Sequence, residues 1–310
     1  MNTKNTATRG YIEVFLAGVL WGTIGPFMQG MSDLGAGSGL ISLMRQGFGT
    51  LMMIPVVLIG CKGVRKLKID RKSLLVLCCM GLFSEAVFNL CYSASVATVG
   101  VAAAAVLLYT APIFVMILSR ILYAEAITGR KLAAIALNLA GCTLTVTNGD
   151  FSGVNIVVSG VIFGVLAGFF YATVTIFGKY VSGNVDPYVT CFYNFLFGTF
   201  FLVLFTRPWT MDFSAFSPKF YLLGAGIGLF GTVLPYIFYM TGLTRPVETS
   251  RVPVVASVET VVAALLGVLL FQEAMGPAKI LGIALVFASV VIINGGSGGH
   301  ENAETPENAT

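Results

Sequence analysis

The sequence predicts an all-α polytopic membrane protein. Ten transmembrane helices form two inverted five-helix repeats, with both termini on the cytoplasmic side. Three observations predict this: long apolar runs recur along the chain, an internal duplication relates its halves, and basic residues concentrate on alternate loops.

The apolar runs come first. Of 310 residues, 56% are hydrophobic and only 10% charged, and the mean hydropathy is +0.89. About 20 consecutive apolar residues cross a bilayer as a helix. Ten such segments can be drawn, at residues 11–30, 39–60, 73–92, 99–119, 130–147, 157–179, 187–206, 219–241, 249–271 and 277–294. Spans 3 and 4 are separated only by Ser93 to Thr98. Residues 1–10 read as a cytoplasmic tail, 11–147 as the first repeat and 157–294 as the second. The Gly- and Asn-rich end, 295–310, reads as a disordered cytoplasmic tail. No cleavable signal peptide is expected.

The duplication is clearest around two Glu residues. Leu122, Glu125, Ala126, Lys131, Ile135, Ala136, Leu137 and Ala140 match Leu270, Glu273, Ala274, Lys279, Ile283, Ala284, Leu285 and Ala288 at one fixed shift. Two shorter matches support it. Gly18-Val19-Leu20-Trp21-Gly22 resembles Gly164-Val165-Leu166-Ala167-Gly168. Phe48-Gly49-Thr50 resembles Phe197-Gly198-Thr199, which sets Arg45 opposite Asn194.

Charge gives the orientation. With the N-terminus inside, fourteen Lys and Arg fall in cytoplasmic segments, including the cluster from Lys62 to Lys72. Three fall outside: Arg207, Lys219 and Lys279. This is the positive-inside pattern. Five spans per half is an odd number, so the second repeat is inverted relative to the first, as in alternating-access transporters. Glu125 and Glu273 then lie at opposite faces. Each precedes the next span, where a carboxylate suits helix N-terminal amides.

These residues together resemble the drug/metabolite transporter (DMT) superfamily, in its ten-span EamA-type branch. The resemblance rests on Trp21-Gly22, Arg45, Tyr109-Thr110-Ala111-Pro112, the two Glu break motifs and Glu259. One departure is Glu259-Thr260, where Glu-Pro is common in the family. The resemblance implies transport of small metabolites, often export of amino acids or related compounds.

Ionisable groups at membrane depth are the first candidates for a site. Counting along the helices, Arg45 lies about 9 Å below the outer face, and Glu85 about 12 Å below it. Opposite charges at matching depth favour an Arg45–Glu85 pair; a structural ion pair, or Arg45 snorkelling to the interface, is the alternative. Glu85, Asn89, Tyr92 and Ser93 share a helical face that suits a cavity wall or a polar helix–helix contact. Glu259 lies near mid-membrane with Val252, Val255, Ala256, Ala263 and Leu266 on its face. Such surroundings disfavour a charged carboxylate. A Glu that can be neutral is a candidate proton carrier, or a structural acid bonded to a neighbouring backbone.

Trp21, Tyr171, Tyr236 and Tyr239 complete the candidate lining, with Thr23, Gln29, Thr175 and Thr232 beside them; aromatic faces suit a planar or amphipathic guest. Gly22, Gly25, Pro26, Pro55, Pro112, Pro235 and Pro253 are the expected helix breaks. The six cysteines read as packing residues without metal spacing. The sole histidine, His300, lies in the polar tail.

The function expected is secondary transport by alternating access, with proton coupling through Glu259. A passive facilitator or channel is the alternative. No GxxxxGK[ST] phosphate loop occurs, and nothing points to an enzyme, a cofactor, a metal or nucleic acid. The expected partners are a small-molecule substrate, the lipid bilayer and protons. The expected location is the cell membrane, a bacterial cytoplasmic membrane being the natural setting.

Overall fold

Apolar sequence with no competing solvent must satisfy its own amides, and helix does so within one segment. The computed structural model describes residues 3–60, 64–152, 157–211, 213 and 216–295. Among these it is helical and contains no strand. His300 and the tail beyond Gly295 lie outside the described residues, as does Cys61.

Ten long rods follow in chain order. The first is α1a (Thr3–Trp21) with α1b (Ile24–Ser32); α2 is Ser38–Gly60. Next come α3a (Arg71–Met80) and α3b (Phe88–Val99), joined by a π-turn at Gly81–Val87. Then follow α4a (Val101–Leu108) with α4b (Ala111–Tyr123), α5 (Gly129–Thr147), α6 (Val158–Val181) and α7 (Pro187–Thr206). The eighth is α8a (Pro218–Gly228) with α8b (Leu234–Leu243), joined by a π-turn at Leu229–Val233. Last are α9a (Val252–Ala256, entered by a 3-10 turn at Thr249–Arg251), α9b (Val258–Phe271) and α10 (Pro277–Asn294). Among the described residues, nine rods are long and apolar enough to cross a membrane. The tenth, α5, carries Arg130, Lys131 and Asn138 and falls outside that set. It packs along α10, and Asn138 spends its amide on Ser257 and Ser289 inside the protein. Large apolar side chains such as Ile121, Val158, Leu222 and Leu269 point outward, as a lipid-facing belt requires.

Residues matched between the two halves meet at their contact. Thr50 and Thr199, equivalent in the Phe-Gly-Thr match, share a hydrogen bond of 3.0 Å. Gly81 opens the first π-turn against Phe197 and Gly198, while Gly228 precedes the second against Phe48. A Cβ on either glycine would come within 2.7 Å of the other repeat. The Gly-Val-Leu match is also a packing device. Gly18 and Gly22 seat α1 on α9, with Ala256 O and Glu259 O where side chains would stand; Gly164 and Gly168 seat α6 on α4 through Leu107. Small residues four apart allow such close helix approach.

Several boundaries differ from the expectation. Ser93 to Thr98 are helical, and the junction of α3 and α4 is Gly100 alone, whose φ of +85° suits a residue without Cβ. The N-terminal segment is helical from Thr3, so most of residues 3–10 extends α1. Pro55 lies inside an unbroken α2. The matched Glu motifs are helix ends. Ala124 and Gln272 both adopt left-handed φ, and the amides of Glu125 and Glu273 reach back to Ser119 O and Gly267 O at 3.3 Å each, the Schellman arrangement.

Candidate functional site

Two helix breaks build the site. In α4 the rod stops at Tyr109 and restarts at Ala111. In α9 it stops at Ser257 and restarts at Val258, so Glu259 occupies the first turn of a 14-residue half-helix. Ala256 and Ala263, expected on its face, line the pockets beside it, whereas Val252 and Val255 are buried. Discontinuous helices with their ends at mid-membrane are a recurrent way to expose backbone and carboxyl groups to a guest. The two breaks face each other across a pocket of ≈ 20 Å³ lined by Tyr109, Asn138, Tyr171, Tyr239, Ser257 and Glu259, among others.

Beside it lies a cavity of ≈ 310 Å³ between the repeats. Of the predicted residues, Trp21, Arg45, Asn89, Tyr92, Tyr171, Tyr236 and Glu259 line it, along with Ser42, Phe88 and Tyr109. Tyr239 lines only the smaller pocket and donates or accepts one hydrogen bond with Thr175 at 2.6 Å. Trp21 packs on both Tyr236 and Tyr239, with ring centroids 5.4 and 5.0 Å away. Tyr171 lies against Phe88, which also stacks on Tyr92.

Glu85 is not on the cavity wall. It is wholly buried behind it. Arg45 Nη2 approaches Glu85 Oε2 at 3.5 Å, and Gln46 Nε2 donates to the same oxygen. Asn194 Nδ2 and Tyr236 OH donate to Oε1 at 2.9 and 2.6 Å. Thus α2, α7 and α8 all anchor on one carboxylate of α3. Arg45 and Asn194, equivalent in the repeat, converge there. The rest of the polar stripe zips α3 to α2: Ser42 Oγ donates to Asn89 Oδ1 at 2.6 Å, and Ser38 bonds Ser93 at 3.1 Å. Glu85 lies within the π-turn and is buried, while Asn89 and Tyr92 of α3b line the cavity.

Glu259 is the opposite case. Among the described residues no hydrogen-bond donor or ion-pair partner meets its carboxylate.

The far end of the bundle is closed by charges. Glu13 pairs with Arg9 and Arg245, each at 3.2 Å. Glu248 takes Lys131 Nζ at 2.6 Å and Arg251 Nη2 at 2.5 Å, and its amide donates to Tyr11 OH. Glu125 accepts from the amides of Thr249 and Ser250 at 2.6 and 3.0 Å and from Ser250 Oγ at 2.5 Å. It therefore caps the start of the ninth rod, in the other repeat, rather than α5, which follows it. Burial opposes ionisation of Glu125, but the Ser250 and Thr249 bonds outweigh it and hold the carboxyl below its ordinary range. Glu273 does not repeat this role. It pairs with Lys279 at 2.8 Å, and the start of α10 is capped by Asn148 Oδ1 accepting from Lys279 N at 3.2 Å.

Tyr109, Gln46, Asn138 and Ser257 were not among the predicted site residues. Gln46 and Asn138 carried a signal, being polar side chains within apolar runs; Tyr109 stood in a recognised motif without being assigned a role. Thr23, Gln29 and Thr232 bond Leu20 O, Asp33 and Ile227 O rather than lining the cavity.

Long apolar helical rods in two related halves, a cavity between them and unequal ends are the features of a polytopic helical transporter. The chain belongs to the EamA-like transporter family, whose profile matches residues 8–147 and 158–295, one copy per half. It is 28% identical over 283 residues to an uncharacterized transporter of Archaeoglobus fulgidus, covering 91% of this chain and 95% of that one. It is 31% identical over 172 residues to the uncharacterized transporter YwfM of Bacillus subtilis, 55% of this chain and 56% of the relative. A crystal structure of a protein 15% identical superposes with a TM-score of 0.80 over 95% of this chain and 99% of that one, a likeness of fold.

Proposed function

We propose that this protein is a secondary transporter, exporting a small metabolite such as an amino acid or related compound across the cell membrane by alternating access. Residues 11–147 and 157–294 act as the two inverted repeats, all ten rods span, and both termini are cytoplasmic. In that orientation the ion pairs of Glu13 with Arg245 and of Glu248 with Lys131 lie towards the cytoplasmic side. The observation that carries the reading is the cavity held between the repeats at matched helix breaks, with an unpartnered Glu259 on its wall. Export follows from the family resemblance, and a proton on Glu259 in the empty carrier is the coupling step. The Arg45–Glu85 group is the pivot around which α2, α3, α7 and α8 are tied.

A passive facilitator is the second reading. A charged closure at one end, spread over α1, the α4–α5 junction and the α8–α9 loop, favours a gated carrier instead. Uptake into proteoliposomes, with a panel of amino acids, bases and sugars and with or without a pH gradient, tests this. Accumulation abolished by a protonophore supports the carrier. Flux that only equilibrates the substrate supports the facilitator.

A further inference from the structure

The charges around the cavity do not cancel. Arg45 and the Glu85 behind it form one neutral pair. Glu259 is the only acidic side chain on the wall and, among the described residues, has no cationic partner. The N-terminal turn of α9b offers at most about half a positive charge. An uncompensated carboxylate at membrane depth is costly. A guest that replaces the proton of the empty carrier and keeps this carboxylate neutralised must carry a net positive charge: a zwitterion leaves the total unchanged, and an anion makes it worse.

The walls suit such a guest. Tyr109 and Tyr171 border both the cavity and the smaller pocket, together with Glu259. Trp21, Tyr92 and Tyr236 supply further ring surface in the cavity. Aromatic faces around a carboxylate attract ammonium groups through the ring quadrupole as well as the charge, and ≈ 310 Å³ is in the range of small-molecule sites.

We propose that this cavity binds an organic ammonium cation, with the charged nitrogen on Glu259 and the apolar body against Tyr109, Tyr171 and Trp21. The proposal names the substrate class for the transport reading and rests on that reading for movement across the membrane, though not for binding.

Trp21 gives a direct readout. The chain has two tryptophans, and the other, Trp209, is 67% exposed. In a Trp209→Phe background, Trp21 fluorescence is titrated in detergent with phenethylamine, phenylalanine and phenylacetate, three probes sharing one ring. Saturable binding of phenethylamine is expected, with phenylalanine at least about tenfold weaker and phenylacetate without effect. Glu259→Gln should weaken phenethylamine by about 10- to 100-fold. Tyr171→Phe should retain binding, because the ring face remains, and Tyr171→Leu should weaken it. Equal binding of phenylalanine or phenylacetate overturns the proposal, as does unchanged affinity in Glu259→Gln. If Glu259→Gln does not fold, the three-probe series on the unaltered cavity still decides. Counterflow of labelled phenethylamine in proteoliposomes separates the two claims. Flux of other solutes without cation binding overturns the cation site and leaves transport standing. Glu259-dependent binding without counterflow supports the site and overturns transport.

Discussion

Removing Arg45 should damage the fold more than neutralising the Glu85 it contacts. The side chain of Arg45 is 13% exposed and lines the cavity, whereas that of Glu85 is 1% exposed. Arg45→Met therefore leaves a carboxylate stranded in the protein interior. Stranding a buried charge costs about 3–5 kcal/mol; the bonds from Gln46, Asn194 and Tyr236 remain, which argues for the lower end, about 3 kcal/mol. Glu85→Gln leaves the guanidinium beside the cavity. Its new amide also finds acceptors, because Gln46 Oε1 and Asn194 Oδ1 have no hydrogen-bond partner. Rotating either amide satisfies both groups, so about 1 kcal/mol is expected. The double variant strands no charge and should be more stable than Arg45→Met alone, with a coupling of about 2 kcal/mol. Unfolding in detergent of the wild type, both single variants and the double variant measures this. Additive losses, or a larger loss for Glu85→Gln, would refute the reasoning.

Close packing between the two halves gives a second expectation. Gly198→Ala would bring a Cβ within 3.0 Å of Glu85 Cβ and Cγ, and Gly81→Ala would meet Phe197 Cβ at 2.6 Å. Each should cost about 1–3 kcal/mol by overpacking. Gly47→Ala, with nothing within 4 Å, should be near neutral in the same thermal assay. A third concerns pH. Glu125 is held below its ordinary value of 4.5 after the bonds from Ser250 and Thr249 outweigh burial. A depressed carboxylate stabilises the folded state above that value, and the contribution disappears as pH falls through the folded pKa. Melting temperature should therefore drop below about pH 4.5, and Glu125→Gln should flatten that drop while lowering stability at neutral pH; an unchanged acid profile argues against the cap.

The sequence made the scaffold readable because its signals are local. Fixed-shift matches reported the repeat, and the Phe-Gly-Thr and Gly-Val-Leu matches turned out to be the contacts that join the halves. Arg45 and Glu85 could be paired from depth alone, since both count from span ends. What escaped was whatever alters helical phase or crosses between repeats. The π-turn at Gly81–Val87, which contains Glu85, has no local sequence signal. The break at Ser257 puts Glu259 at the head of a half-helix, although Pro253 hinted at a kink four residues early. Glu125 was read as serving the helix that follows it. Its carboxylate caps the ninth rod of the other repeat, a partner 124 residues away that no local pattern reveals.

The central claim is that Glu259 on the cavity wall couples movement of the guest to protons. Proteoliposomes loaded with a pH-sensitive dye, given phenethylamine and then the amino-acid panel, test it most directly. The account predicts proton movement on addition of a transported solute, accumulation abolished by a protonophore, and loss of both in a folded Glu259→Gln variant. Proton-coupled accumulation that persists unchanged in Glu259→Gln would contradict it.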